Sequence, residues 1–182
     1  MSEMVEVVID SIRVSLMSQQ RIVILREVDD ERYLPIWIGT PEADSITLAL
    51  QEVEVARPLT HDLLKNIFTS LDARVLRVEV VALRDDTFYG NIVAELNGRT
   101  VNIDSRPSDA LALAVRTHVP IMVTRSVMDS AGIIPEEDMQ EEEEEILEAP
   151  EVGSERLSVF EDFLENLGED PDDEDEDDED ED

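Results

Sequence analysis

The sequence predicts an α+β domain, two β-β-β-α units with a largely antiparallel sheet, followed by a C-terminal amphipathic helix and a disordered acidic tail. Three observations lead there. Short Val- and Ile-rich segments alternate with Ala/Leu segments of helical spacing over residues 1–135. A faint repeat aligns residues 38–50 (IGTPEADSITLAL) with 103–115 (IDSRPSDALALAV) at a fixed offset of 65, with three strand-like segments before each copy. The charge is segregated. Residues 1–135 hold 20 acids and 13 bases, a net of −7, whereas residues 136–182 hold 27 acids and one base, out of −33 for the whole chain. The repeat has two readings, a true duplication or the resemblance that any strand–turn–helix joint bears to another.

Val5–Leu16 and Arg21–Val28 read as strands around Ser18-Gln19-Gln20. Arg32–Gly39 is a third, and Pro35 inside it points to a sheet edge or a bulge. Thr40-Pro41-Glu42 then starts a helix. Thr40 is a capping residue, Pro41 suits the first turn and Glu42 faces the positive dipole end. Ile46, Ala49, Leu50 and Val53 carry its apolar stripe to about Val55. Thr60 caps a second helix reaching about Leu71. Arg74–Leu83 and Phe88–Leu96 pair across Arg84-Asp85-Asp86-Thr87. Asn97-Gly98 is a strong hairpin signal, and Arg99–Ile103 returns from it. A helix follows from Ser108 to about His118, with Ser105 as its cap, and Pro120–Thr124 is the last strand. His118, at a helix end, reads as structural.

The acidic part divides into a linker over 136–151, an amphipathic helix within 152–168 lined by Leu157, Phe160, Leu164 and Leu167, and a disordered tail over 169–182. The globular domain is residues 1–135. With aromatics at 4%, its core must be built from Val, Ile, Leu and Ala. Absence of Cys excludes disulfides, thiolate metal sites and a cysteine nucleophile. The opening MSEMVEVVID carries acid where a signal peptide needs base, and no apolar run approaches a membrane span, so a cytoplasmic protein is expected. Of the 14 bases, only Lys65 is not Arg, which favours bidentate contact with phosphate or carboxylate.

Two helix starts gather polar groups. RPLTHDLL (57–64) offers Arg57, Thr60, His61 and Asp62, and IDSRPSDALALAVR (103–116) offers Asp104, Ser105, Arg106, Ser108 and Asp109. A helix start attracts anions through its free N–H groups and its dipole. Neighbouring Arg and carboxylate would let such a place hold a phosphodiester beside a hard divalent ion. Ordinary capping and an Arg106–Asp104 pair account for the same residues without chemistry.

Four segments, LPIWIGTPEADSI (34–46), RPLTHDLL (57–64), DDTFYGNI (85–92) and IDSRPSDALALAVR…PI (103–121), resemble the bifunctional nuclease domain family in order and spacing, over roughly residues 4–130. The resemblance implies a nuclease acting on RNA and DNA with little sequence preference. Phosphodiester hydrolysis needs charge neutralisation, an activated water and help for the leaving oxygen. On that chemistry Asp104 and Asp109 are the expected Mg²⁺ or Mn²⁺ ligands with Glu42 as a third, and His61, beside Asp62, is the expected general base. Arg57, Arg106 and Ser108 would hold the phosphate, and Tyr89 either stacks on a base or fills the sheet. A core of net −7 lacks the basic surface usual in nucleic-acid binders. The alternative is therefore a non-enzymatic interaction module whose acidic tail binds a basic protein partner. A short, aromatic-poor sheet with few helices also points to a homo-oligomer.

Overall fold

The computed structural model describes residues 3–14 and 20–134. The expected linker, amphipathic helix and acidic tail of 136–182 lie outside the described residues. The fold is mixed α/β, a seven-stranded, mostly antiparallel sheet with four helices. In chain order the elements are β1 (Met4–Val14), β2 (Arg21–Glu27), β3 (Tyr33–Ile38), α1 (Thr40–Leu50), α2 (Thr60–Ser70), β4 (Arg74–Arg84), β5 (Thr87–Leu96), β6 (Arg99–Ser105), α3 (Pro107–Thr117), β7 (Ile121–Thr124) and α4 (Arg125–Ala131).

The strand order is β3-β2-β1-β7-β4-β5-β6. Two antiparallel three-stranded meanders flank β7, which runs antiparallel to β1 and parallel to β4. Pro35 is tolerated because β3 is an edge strand. The hairpin signal at Asn97-Gly98 forms a tight turn with φ of 52° and 73°. Asp85 and Asp86 turn the β4–β5 hairpin the same way, at φ of 47° and 57°. Both pairs adopt the left-handed backbone that a two-residue hairpin turn requires, and Asp and Asn tolerate it better than most side chains.

The core holds no aromatic ring among its largest fully buried side chains, which are Leu25, Leu34, Ile46, Leu111, Leu113 and Met128 with several valines. One register row, Val7, Ile121, Val78 and Ile92, crosses four strands and is buried throughout. On that face lies α3, whose Ala110, Leu111, Ala112, Leu113 and Ala114 are all buried. It packs against β4 and β5 and also against α1 and α2. Its small alanines let these neighbours approach at the close packing of a protein interior.

One helix end differs from expectation. α1 stops at Leu50, not Val55, so Leu50 and Val53 are exposed instead of continuing an apolar stripe. Glu52, at φ 51°, reverses the chain, with the Glu52 N–H donating to Ala49 O and the Val53 N–H to Leu48 O. Asp72 after α2 and His118 after α3 are also left-handed. These are C-terminal caps of the type that usually carries Gly, here built on Glu, Asp and His. At the other ends Gly39, Leu59 and Arg106 occupy the cap positions, so Thr40, Thr60 and Ser105 are not the caps expected, and none of these three starts has a side-chain cap. Helix α4 was not anticipated. It is held by buried Val127 and Met128, by Arg125 on buried Glu27 at 2.9 Å, and by Asp129 on Arg32 at 2.7 Å. Along α2, Leu59, Leu63, Ile67 and Leu71 recur every fourth residue and stay exposed. No helix among the described residues is long and apolar enough to cross a membrane.

The joint between β6 and α3 depends on Gly90. A Cβ there would stand 3.1 Å from Ser105 O and 3.2 Å from Pro107 N and Cα. These are backbone atoms, so relief would displace the joint itself. Gly90→Ala is expected to lower stability by about 1–3 kcal/mol, read from urea unfolding; an unchanged midpoint would show that the joint yields freely.

Candidate functional site

Three helix starts meet over α3. α1 contributes Glu42 and Ser45, α2 contributes His61, and α3 contributes Asp109 with Arg106 at its cap. Arg106 Nε donates to Asp109 Oδ2 at 2.8 Å, and its Nη2 donates to Asp109 Oδ1 at 3.1 Å and to Glu42 Oε1 at 2.5 Å. His61, 8% exposed, has Nε2 at 3.2 Å from Asp109 Oδ1 and Nδ1 at 2.8 Å from Ser45 Oγ. The line therefore runs Glu42–Arg106–Asp109–His61–Ser45. It borders an open cleft of about 490 Å³, walled also by Pro41, Leu48 and Pro58.

Glu42 reaches Arg106 by folding back over Gly39, where a Cβ would collide with its carboxylate. Gly39 has an ordinary φ of −69°, so glycine serves there for room rather than for backbone freedom. Burial alone would raise the Asp109 carboxyl. Hydrogen bonds and charge from Arg106 and His61 outweigh it and hold Asp109 below the usual carboxylate range. In return, Asp109 first and Glu42 second push Arg106 well above the ordinary guanidinium value.

An ionised Asp109 can only accept, so His61 carries its proton on Nε2 and donates it there. That tautomer is assigned from the hydrogen-bond pattern. When only Nε2 carries a proton, Nδ1 accepts the Ser45 hydroxyl proton. Ser45 lies on the cleft wall.

The remaining expected residues lie elsewhere. Asp62 accepts from Arg116 Nε at 2.6 Å and from the Leu59 N–H at 2.8 Å. Burial opposes its ionisation, and Arg116 and the Leu59 amide overcome it, keeping its carboxyl low. Arg116 is buried, also donates to Ala112 O at 2.9 Å, and ties α2 to α3. Arg57 is exposed in the α1–α2 loop and is not on the cleft wall. Ser108 is buried and faces a different opening. Asp104 is exposed on β6 in register with Asn91, Glu79, Met122 and Glu6. That row alternates with the buried one, so Asp104 lies on the sheet face away from α3 and Asp109. Arg106 pairs with Asp109 and Glu42 rather than with Asp104. Tyr89 is exposed, with the Arg84 guanidinium 5.3 Å above its ring. Ser45 was missed, although its spacing of three from Glu42 puts both on one helix face. Arg116 was missed too, hidden as an ordinary cation in a last helical turn.

Among the described residues no group of three His, Asp or Glu side chains could hold a metal ion. Glu42 and Asp109 are both committed to Arg106. The expected Mg²⁺ or Mn²⁺ ligands, Asp104, Asp109 and Glu42, therefore do not come together.

Residues 23–136, which carry every one of these groups, match the sequence family described as the bifunctional nuclease domain. The chain belongs to that family. An uncharacterized protein of Mycobacterium tuberculosis is 38% identical over 168 residues, 92% of this chain and 96% of that protein. Bifunctional nuclease 2 of Oryza sativa subsp. japonica is 30% identical over 118 residues, 63% of this chain and 36% of that protein. Bifunctional nuclease 1 of Oryza sativa subsp. indica is 26% identical over 115 residues, 62% and 35% respectively. The aligned stretch is thus about a third of each rice protein and nearly all of the mycobacterial one.

Asp109 has an acid signature. Its carboxyl is lowered from 3.8 in the folded chain. The stability it contributes is complete above the unfolded value, and it is lost as pH falls through the folded one. The thermal midpoint of Asp109→Asn should lie below that of the parent near neutral pH, and the gap should close below about pH 4. A gap constant down to about pH 3 would show that the charge is not what matters.

Proposed function

We propose that this protein is a nuclease that cleaves phosphodiester bonds of RNA or DNA, with Arg106 holding the phosphate and His61 taking the proton through Ser45. The observation that carries this reading is the state of Arg106. Two carboxylates from different helices fix its guanidinium, yet its side chain is 67% exposed beside a cleft. Exposed ion pairs contribute only about 0–1 kcal/mol each to folding. A cation held this firmly and left this open is suited to an anion from solution, and its Nη1 has no partner among the described residues. Membership of the bifunctional nuclease domain family supports the choice of anion.

The chemistry follows from the line of groups. A phosphate oxygen binds the free edge of Arg106, which stabilises the charge that grows as water attacks phosphorus. The attacking water gives its proton to Ser45 Oγ as the Ser45 hydroxyl proton passes to His61 Nδ1. Asp109 stabilises the resulting imidazolium through Nε2–H. The phosphorus bond to the departing oxygen breaks, and that oxygen takes a proton from solvent. His61 thus acts as a base at one remove, since neither ring nitrogen is free to meet water directly.

Arg106→Ala should reduce cleavage of labelled single-stranded RNA and DNA by roughly 10²–10³. Ser45→Ala should lower kcat more than it alters KM and should displace the acid limb of the pH–rate profile. Each variant is purified as the parent is and assayed with EDTA and with added Mg²⁺ or Mn²⁺. A parent rate that Arg106→Ala keeps in full would overturn the proposal.

A further inference from the structure

Arg106 also stands on the wall of a second opening, of about 670 Å³, between the end of β3 and the β4–β5 hairpin. We infer that this second cleft is a nucleotide subsite that seats a phosphate at the paired starts of α1 and α3 and a base against Trp37. The inference rests on the reading of Arg106 as a phosphate ligand and adds the part of the substrate that lies beyond it.

Three separate features converge there. Thr40 at the first position of α1, and Pro107 and Ser108 at the first two of α3, are all on this wall. The first intrahelical bonds are Ala43 N–H to Gly39 O and Ala110 N–H to Arg106 O. The N–H groups of Thr40, Glu42, Ser108 and Asp109 thus precede them and carry no intrahelical bond. Two dipole ends together with Arg106 favour an anion. Ser108 is the second feature. It is 6% exposed, and among the described residues its hydroxyl has no hydrogen-bond partner. Its oxygen is not sealed off, unlike Ser105 Oγ, the fully buried hydroxyl without a partner among the described residues. Ser108 borders the cleft and can donate to a phosphate oxygen.

Trp37 is the third. It is the only tryptophan of the chain, it is 56% exposed, and it lies on the same wall. An indole this open exposes a large apolar ring to water, and base stacking is a natural use for it. The partly buried Phe88 ring adds apolar wall. Asp86 is the acidic side chain on this wall, and Arg106, shared with Glu42 and Asp109, is its cation. The subsite therefore relies on dipole ends rather than on net positive charge, which suits one nucleotide unit rather than a long electrostatic track. It also reconciles nucleic-acid binding with a globular region of net −7.

Trp37 is its own reporter. The full chain is titrated with thymidine 5′-monophosphate, thymidine and inorganic phosphate while indole fluorescence is followed. The monophosphate should quench it saturably, thymidine at least tenfold more weakly, and phosphate should compete without quenching. Ser108→Ala should weaken the monophosphate at least fivefold with the full quench kept at saturation. Binding of fluorescein-labelled hexathymidylate, read by anisotropy, should weaken at least fivefold in Trp37→Leu and recover to within twofold in Trp37→Phe. Equal binding by both Trp37 variants, or no quench, overturns the subsite. Cleavage without quench removes the subsite and leaves the nuclease reading. Quench without cleavage does the reverse.

Discussion

Asp109 is the carboxylate on which the arrangement turns. One oxygen serves both the guanidinium of Arg106 and the imidazole of His61, and the other completes the fork on Arg106. It can do so because it sits in the first turn of α3, the helix against which α1 and α2 both pack. Fixing that one carboxylate fixes the cation that faces the cleft, the tautomer of His61 and hence the direction of the Ser45 proton. Remove the packing of three helix starts and each group becomes an ordinary cap or surface charge.

The energetics divide accordingly. Stability comes from the aliphatic face shared by the sheet and α3, with buried Arg116, paired with half-buried Asp62, as the costly exception that a folded chain must keep satisfied. Arg106 belongs to the other category. Its own side chain is open to solvent, so the chief value of its pairs is geometric. Glycines at both approaches express the same demand. Gly39 makes room for the Glu42 carboxylate, and Gly90 lets the backbone before Arg106 come close to β5.

Much of the scaffold was legible. Alternation of Val and Ile marked the strands, Asn97-Gly98 marked a hairpin, and Pro35 marked an edge, since each reflects a local backbone preference. The end of α1 was less legible, because Glu52 takes a left-handed backbone normally signalled by Gly. Helix α4 was hidden because its reasons are distant partners, Glu27 and Arg32. At the site, Arg106, Asp109, His61 and Glu42 were picked out by residue type at helix starts. Ser45 and Arg116 were passed over, because a serine within a helix and an arginine at its end look ordinary until a partner is known.

The sequence alone determined all the strands, the first three helices, and that polar groups gather where helices begin, because these depend on neighbours a few residues away. Only the tertiary structure decided which of those groups meet. Asp104 and Asp109 are close in sequence, but strand alternation puts Asp104 on the far face of the sheet. Glu42 and Arg106 are far apart in sequence, but packing of α1 on α3 brings them to 2.5 Å. A side chain's direction is set by its own backbone, whereas its partner is set by how the elements pack.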